Sequence, residues 1–213
     1  MTLDLDPERA LALAYMSVPR RPAVEALWRL DVALASVLAT GREPLVSRIR
    51  LAWWREALER LDRGLPPAEP VLAALSAQVL PAGVTGAELA ALTDAWDPLL
   101  SPDPLGDSEL RDYARQRGLL FALSARLLGG GDADGEGWAL ADFARHSSND
   151  AEAARALTLA RTTPMPARWP KPLRPLGMLA VLARRDAGRG LPLERPGSPA
   201  RVLRVVRHRL TGY

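Results

Sequence analysis

Proline and glycine cut this chain into runs of helical length, and no run alternates apolar with polar residues over the span of a strand. Within the runs, apolar residues recur every three or four positions, the period of a helix face. Leu27, Leu30, Leu34, Val37 and Leu38 share one face of 23–40. Leu110, Tyr113, Arg117, Leu120, Phe121, Ser124 and Leu127 share one side of 108–128. The spacing predicts helices over 7–18, 23–40, 45–63, 70–80, 85–97, 108–128, 136–147, 150–162, 172–187 and 199–210. Thr85 and Glu88 have capping-box spacing. Ser198 and Pro199 fit the start of the last helix. Asp4 and Glu8, on either side of Pro7, read as an N-terminal cap, and GGGDADG at 129–135 ends the long helix. The expected fold class is all-α, a single helical domain over 1–213 with about eight to ten helices.

The segment RIRLAWWREALERLDRG at 48–64 is the most unusual. Leu51, Trp54, Leu58 and Leu61 make a core-facing stripe, and Trp53 and Ala57 lie beside it. Each indole can bury roughly 150–250 Å², a large load for one helix. Two readings follow. The helix is packed on two sides, or one indole lines a ligand cavity, with Arg50 and Arg55 at its edges.

The chain has no cysteine, which excludes disulfides, thiolate metal sites, iron–sulfur clusters and cysteine nucleophiles. Its two histidines, His146 and His208, exclude a multi-histidine metal site. Asp132, Asp134 and Glu136 resemble the start of a calcium loop, but Phe143 stands where the bidentate Glu is needed. No apolar run approaches the roughly 18 residues of a membrane span, and the N-terminus is acidic rather than signal-like. A cytoplasmic protein is expected, with contact at the inner membrane face open.

Charge is divided along the chain. Residues 1–160 carry 16 Arg against 23 Asp+Glu, a net of −7. Residues 161–213 carry 12 Lys+Arg against Asp186 and Glu194, a net of +10. A basic end on an acidic body points to an anionic partner: a membrane surface, a phosphate-bearing ligand or an acidic protein. In the last helix Val202, Val205, Val206 and Leu210 share a face, with Leu203 near its edge. Arg201, Arg204, Arg207 and Arg209 take much of the rest. This helix either closes the bundle with a solvated basic face or docks on an anionic membrane or acidic partner. The basic segment lacks the aromatic stacking set of single-strand binders, so no nucleic acid is expected.

Several stretches, in order, resemble the squalene/phytoene synthase family. They are RIRLAWWREALERLDRG followed by LPPAEPVLAAL, LRDYARQRGLLFALSARLLGG at 110–130, GEGWALADFARHSSND at 135–150 and RWPKPLRPLGMLAVLARRD at 168–186. The resemblance covers most of 20–190 and implies a shortened isoprenoid-synthase-like bundle. Working members join two prenyl diphosphates, using Mg²⁺ held by D-x-x-x-D motifs on two facing helices. That spacing puts both carboxylates of a motif on one helix face. Here Asp31 has Ala35 in the partner position, and Asp142 has Trp138 and His146. One carboxylate per helix cannot reproduce the paired cage.

The resemblance therefore implies a non-catalytic relative with no catalytic residue, metal or cofactor. Residues 27–58 are similar to the branch that includes a mitochondrial complex I assembly factor. The expected role is binding a lipid, a prenyl ligand or a partner protein, in respiratory-complex assembly. The candidate cavity residues are Asp31, Arg50, Trp53, Trp54, Arg55, Tyr113, Asp142 and Arg145. The alternative is a divergent prenyltransferase in which Asp31, Asp142 and Arg145 manage a diphosphate with Mg²⁺.

Overall fold

A computed structural model describes residues 5–41 and 43–213. In chain order the helices are α1 (Pro7–Ala14), α2 (Arg21–Thr40), α3 (Pro44–Arg60), α4 (Pro70–Gln78), α5 (Gly86–Ala91), α6 (Asp107–Leu127), α7 (Glu136–His146), α8 (Asp150–Thr162), α9 (Arg174–Arg189) and α10 (Pro199–Thr211). No strand occurs among the described residues. The all-α class holds, and most helix ends fall within a few residues of the spacing-based expectation.

Local chemistry accounts for the differences. Asp6 caps α1 by accepting the N–H groups of Glu8 and Arg9 at 2.9 and 3.0 Å; Asp4 lies outside the described residues. The helix stops at Ala14 rather than near 18, where tight turns bond Tyr15 to Ala12 and Met16 to Leu13. The expected helix over 85–97 breaks into α5 and the 3₁₀ turns Leu92–Ala95 and Asp97–Leu100. The Thr93 hydroxyl donates to the Ala90 carbonyl at 2.7 Å, a local bond that competes with the α-helical ladder. The Thr85–Glu88 capping box forms. Ser198 stands at the N-cap position of α10, but its hydroxyl makes no capping bond.

The long α6 runs through the core, with the whole predicted stripe from Leu110 to Leu127 buried. The Trp28 indole N–H donates to Ser124 Oγ at 2.9 Å, and that hydroxyl donates to the Leu120 carbonyl. Trp28 meets Ser124 while Asp31 meets Arg117, so α2 and α6 run antiparallel. The start of α7 approaches α6 closely at Gly118, where a Cβ would lie 3.0 Å from the Glu136 nitrogen. Trp138 of α7 then stacks on Phe121 of α6 with centroids 5.0 Å apart. α9 packs against α7, α8, α1 and α10.

The two adjacent tryptophans divide their roles. Trp54 is 8% exposed and belongs to the core, whereas Trp53 is 41% exposed. The rings meet edge to face at 5.3 Å. The helix is buried on one side only, because α3 packs inward on α2, α5 and the 3₁₀ turns.

The last helix departs most from its pattern. Arg201, expected on the solvated face, is 2% exposed, and His208 is fully buried with Val205. Val202, Leu203, Val206 and Leu210 face outward instead. The cause is charge. Arg201 forks Glu8 of α1, Nε to Oε1 and Nη2 to Oε2 at 2.7 Å each, and also pairs with Asp186 of α9. Two inward carboxylates require a cation, and a guanidinium supplies a matching fork. Arg174 of α9 fixes the far end, donating to the Arg209, Leu210 and Thr211 carbonyls at 2.8–3.3 Å.

Candidate functional site

Asp31 lies on the buried face of α2 between Leu27 and Leu34, where burial raises the cost of an unpaired charge. Arg117 of α6 supplies the counter-charge. Its Nε donates to Asp31 Oδ1 at 3.0 Å and its Nη2 to Oδ2 at 2.9 Å. Nη1 of the same guanidinium lies 2.6 Å from Asp142 Oδ2 on α7 and 2.6 Å from the Tyr113 hydroxyl. From α1, Arg9 donates to Asp31 Oδ2 at 2.9 Å, and its other Nη lies 3.6 Å from Asp142 Oδ2. Asp6 holds the Arg9 Nε at 3.0 Å. Two carboxylates and two guanidiniums from four helices thus form a closed, charge-balanced quartet.

Aromatic faces complete it. The Arg117 guanidinium lies 4.9 Å from the Trp96 ring centroid and 4.7 Å from that of Trp138. Arg9 also sits over Trp138, at 4.9 Å. Such contacts favour a cation where water is excluded. Burial opposes the charged forms of Asp31 and Asp142, but Arg117 and Arg9 outweigh it and hold both carboxyls below the usual carboxylate range. Burial pushes the Tyr113 hydroxyl upward, so it stays neutral.

The quartet forms the polar end of a cavity of about 630 Å³. Val32, Ala35, Leu38, Leu99 and Phe143 make apolar walls. The volume and mixed lining suit a small organic ligand. The charged lining residues are Arg9 and Arg117 against Asp6, Asp31, Asp103, Asp142 and Glu152, a net of −3.

Of the residues singled out in the sequence, Asp31, Tyr113 and Asp142 come together here. Arg145 borders a neighbouring cavity of about 430 Å³, where it donates to Asp186 at 2.6 Å and to the Glu194 carbonyl at 3.0 Å. Arg50, Trp53, Trp54 and Arg55 line neither cavity. Trp54 packs inward, Arg50 reaches Thr40, and Arg55 pairs with Asp94. The indole-lined cavity is thus replaced by one walled by other helices.

Arg9, Arg117, Trp96 and Trp138 escaped the sequence reading as site residues. For Arg117 a signal existed: a charged residue in the middle of an otherwise apolar or neutral helix stripe must meet a buried partner. For Trp138 the signal was its i, i+4 spacing from Asp142.

The Mg²⁺ that the prenyltransferase alternative would need does not fit these residues. Asp31 uses both oxygens on guanidiniums, and Ala35 adds no donor on the same face. Asp142 Oδ2 faces two guanidiniums, and an incoming dication would meet both. Among the described residues no three His, Cys, Asp or Glu side chains gather as a metal site.

A sequence model described as squalene/phytoene synthase matches residues 4–163. No curated protein and no solved structure matches the chain. The family match includes α1 to α8 and every member of the quartet, and on it the chain belongs to the squalene/phytoene synthase family.

Proposed function

We propose that this chain is a non-catalytic member of its family that holds an uncharged, lipid-like ligand in the cavity beside Asp31. The observation that carries the proposal is the pairing of Asp31 and Asp142 with Arg9 and Arg117. Prenyl transfer needs positive charge free to draw off a diphosphate. Here both buried guanidiniums are committed to carboxylates, and the net charge of −3 around the cavity repels a polyanion. An apolar chain lying along Val32, Ala35, Leu38 and Phe143 meets no such cost.

The setting we propose is assembly of a respiratory complex, with the bundle presenting its ligand or its surface to a partner protein. Sequence similarity of residues 27–58 to an assembly-factor branch supports that setting.

Two measurements on the purified chain test the proposal. Farnesol, an uncharged prenyl alcohol, is expected to quench tryptophan fluorescence saturably through Trp96, while farnesyl diphosphate binds at least tenfold more weakly. Incubation with farnesyl and geranylgeranyl diphosphates and Mg²⁺ is expected to yield no condensed product. Turnover above a heat-inactivated control would overturn the non-catalytic reading, and equal or tighter diphosphate binding would overturn the uncharged-ligand reading.

A further inference from the structure

The outward face of α10 is apolar where a closing helix would ordinarily be polar. Val202, Val206 and Leu210 stand at i, i+4 and i+8, and Leu203 completes the arc. Leu203 and Leu210 are 70% and 73% exposed, and Val202 and Val206 are exposed with them. At about 100° per residue, the four occupy one continuous strip along the helix. Arg209 and Arg207 fall at its two edges, and Arg204 lies beyond Arg207. Tyr15 and Tyr213 are exposed beside basic side chains, with Arg209 over the Tyr15 ring at 5.3 Å and Arg168 over the Tyr213 ring at 5.4 Å.

We infer that this face docks on an anionic lipid bilayer, with the aliphatic strip entering the headgroup boundary and the arginines meeting lipid phosphates. Aliphatic side chains flanked by arginines, with tyrosines nearby, match the layering of a membrane interface. Charge complementarity favours lipid. Residues 161–213 carry a net +10, and their two carboxylates are already used inside the fold, Asp186 by Arg145 and Arg201 and Glu194 by Arg185. A second copy would be a poor occupant. A two-fold pairing of α10 brings arginines against arginines, and residues 199–211 contain no acidic side chain to offset them. No helix among the described residues is long and apolar enough to cross a membrane. The inference is independent of what the cavity holds.

The test uses the full chain and point substitutions. Deleting α10 would take the buried Val205 and His208 out of the core and strip Glu8 and Asp186 of Arg201. Sedimentation with phosphatidylcholine vesicles is compared with vesicles that also contain phosphatidylglycerol. Binding is expected only to the anionic vesicles, and it should fade as salt rises from about 0.1 M to about 1 M and the Debye length shrinks. Leu203→Asp with Leu210→Asp should weaken it roughly tenfold or more while the circular-dichroism melt is kept. Arg207→Gln should weaken it about fivefold. Equal binding to neutral vesicles, no binding to either kind, or an unchanged affinity in the double-Asp variant would each overturn the inference. So would a dimer in light scattering that the double-Asp variant dissolves.

Discussion

Arg117 clasps Asp31 across 86 positions of chain, with two parallel N–H···O bonds of 2.9 and 3.0 Å between the buried faces of α6 and α2. The same guanidinium reaches Asp142 and Tyr113, so one side chain ties three helices together. Arg117→Met should therefore destabilise by about 3–5 kcal/mol, because it leaves Asp31 buried with half its compensation. Arg117→Lys should recover little, since an ammonium cannot reproduce the fork. Urea melts measure both. If Asp31→Leu combined with Arg117→Met is nearly as stable as the parent while each single change is costly, the pair contributes specificity rather than net stability.

The acid side of the stability profile follows from the same quartet. Asp31 and Asp142 have native pKa values below that of an unfolded aspartate, about 3.9. The unfolded chain then binds more protons than the native one as pH falls below that value. The stabilisation is full above about pH 4 and is lost progressively as pH drops toward the depressed native values. Thermal melts between about pH 5 and pH 2 should fall steeply in the parent and less steeply in Asp31→Asn. Parallel slopes would show that the quartet does not govern acid unfolding.

The tryptophan pair gives unequal expectations. Trp54→Ala should cost about 3–5 kcal/mol, the range for emptying a large core site. Trp53→Ala removes an exposed ring and one edge contact, and about 1 kcal/mol is expected. The ratio of the two losses, read from denaturant midpoints, checks the placement of α3. Neither change should alter farnesol binding, because neither ring borders the cavity.

His208 adds a second pH window. Burial lowers its pKa, and Arg174 and Arg204 lower it further. Above about pH 6.5 the ring is neutral in both states and contributes no pH dependence. Below that value the unfolded ring takes up a proton that the native ring resists, so stability declines until the depressed native pKa is reached. The melting temperature should drop between about pH 7 and pH 5.5 in the parent, and His208→Leu should remove that part of the drop. The ring lies against Gly177 of α9, so the lost stability is the docking of α10.

Helix number and most helix ends were legible in the chain, because they depend on prolines, glycines, caps and three-to-four spacing, all local in sequence. The buried stripes of α2 and α6 were legible for the same reason. Burying Leu27, Leu34, Leu110 or Leu120 satisfies the hydrophobic effect whatever lies opposite. The absence of paired aspartates was also plain from spacing alone. Tertiary structure decided which charges meet. Arg9 and Asp31 are 22 positions apart, and Arg201 and Glu8 are 193 apart, so no local pattern links them. Those pairings then overruled periodicity. α10 carries apolar residues on one arc and basic ones on much of the rest, and area alone would turn the apolar arc inward. Glu8 and Asp186 face the bundle and bind Arg201, so the helix turns the other way and leaves Leu203 and Leu210 in solvent. A few exposed leucines cost less than buried carboxylates without a counter-charge, and that inequality exists only once the helices have packed.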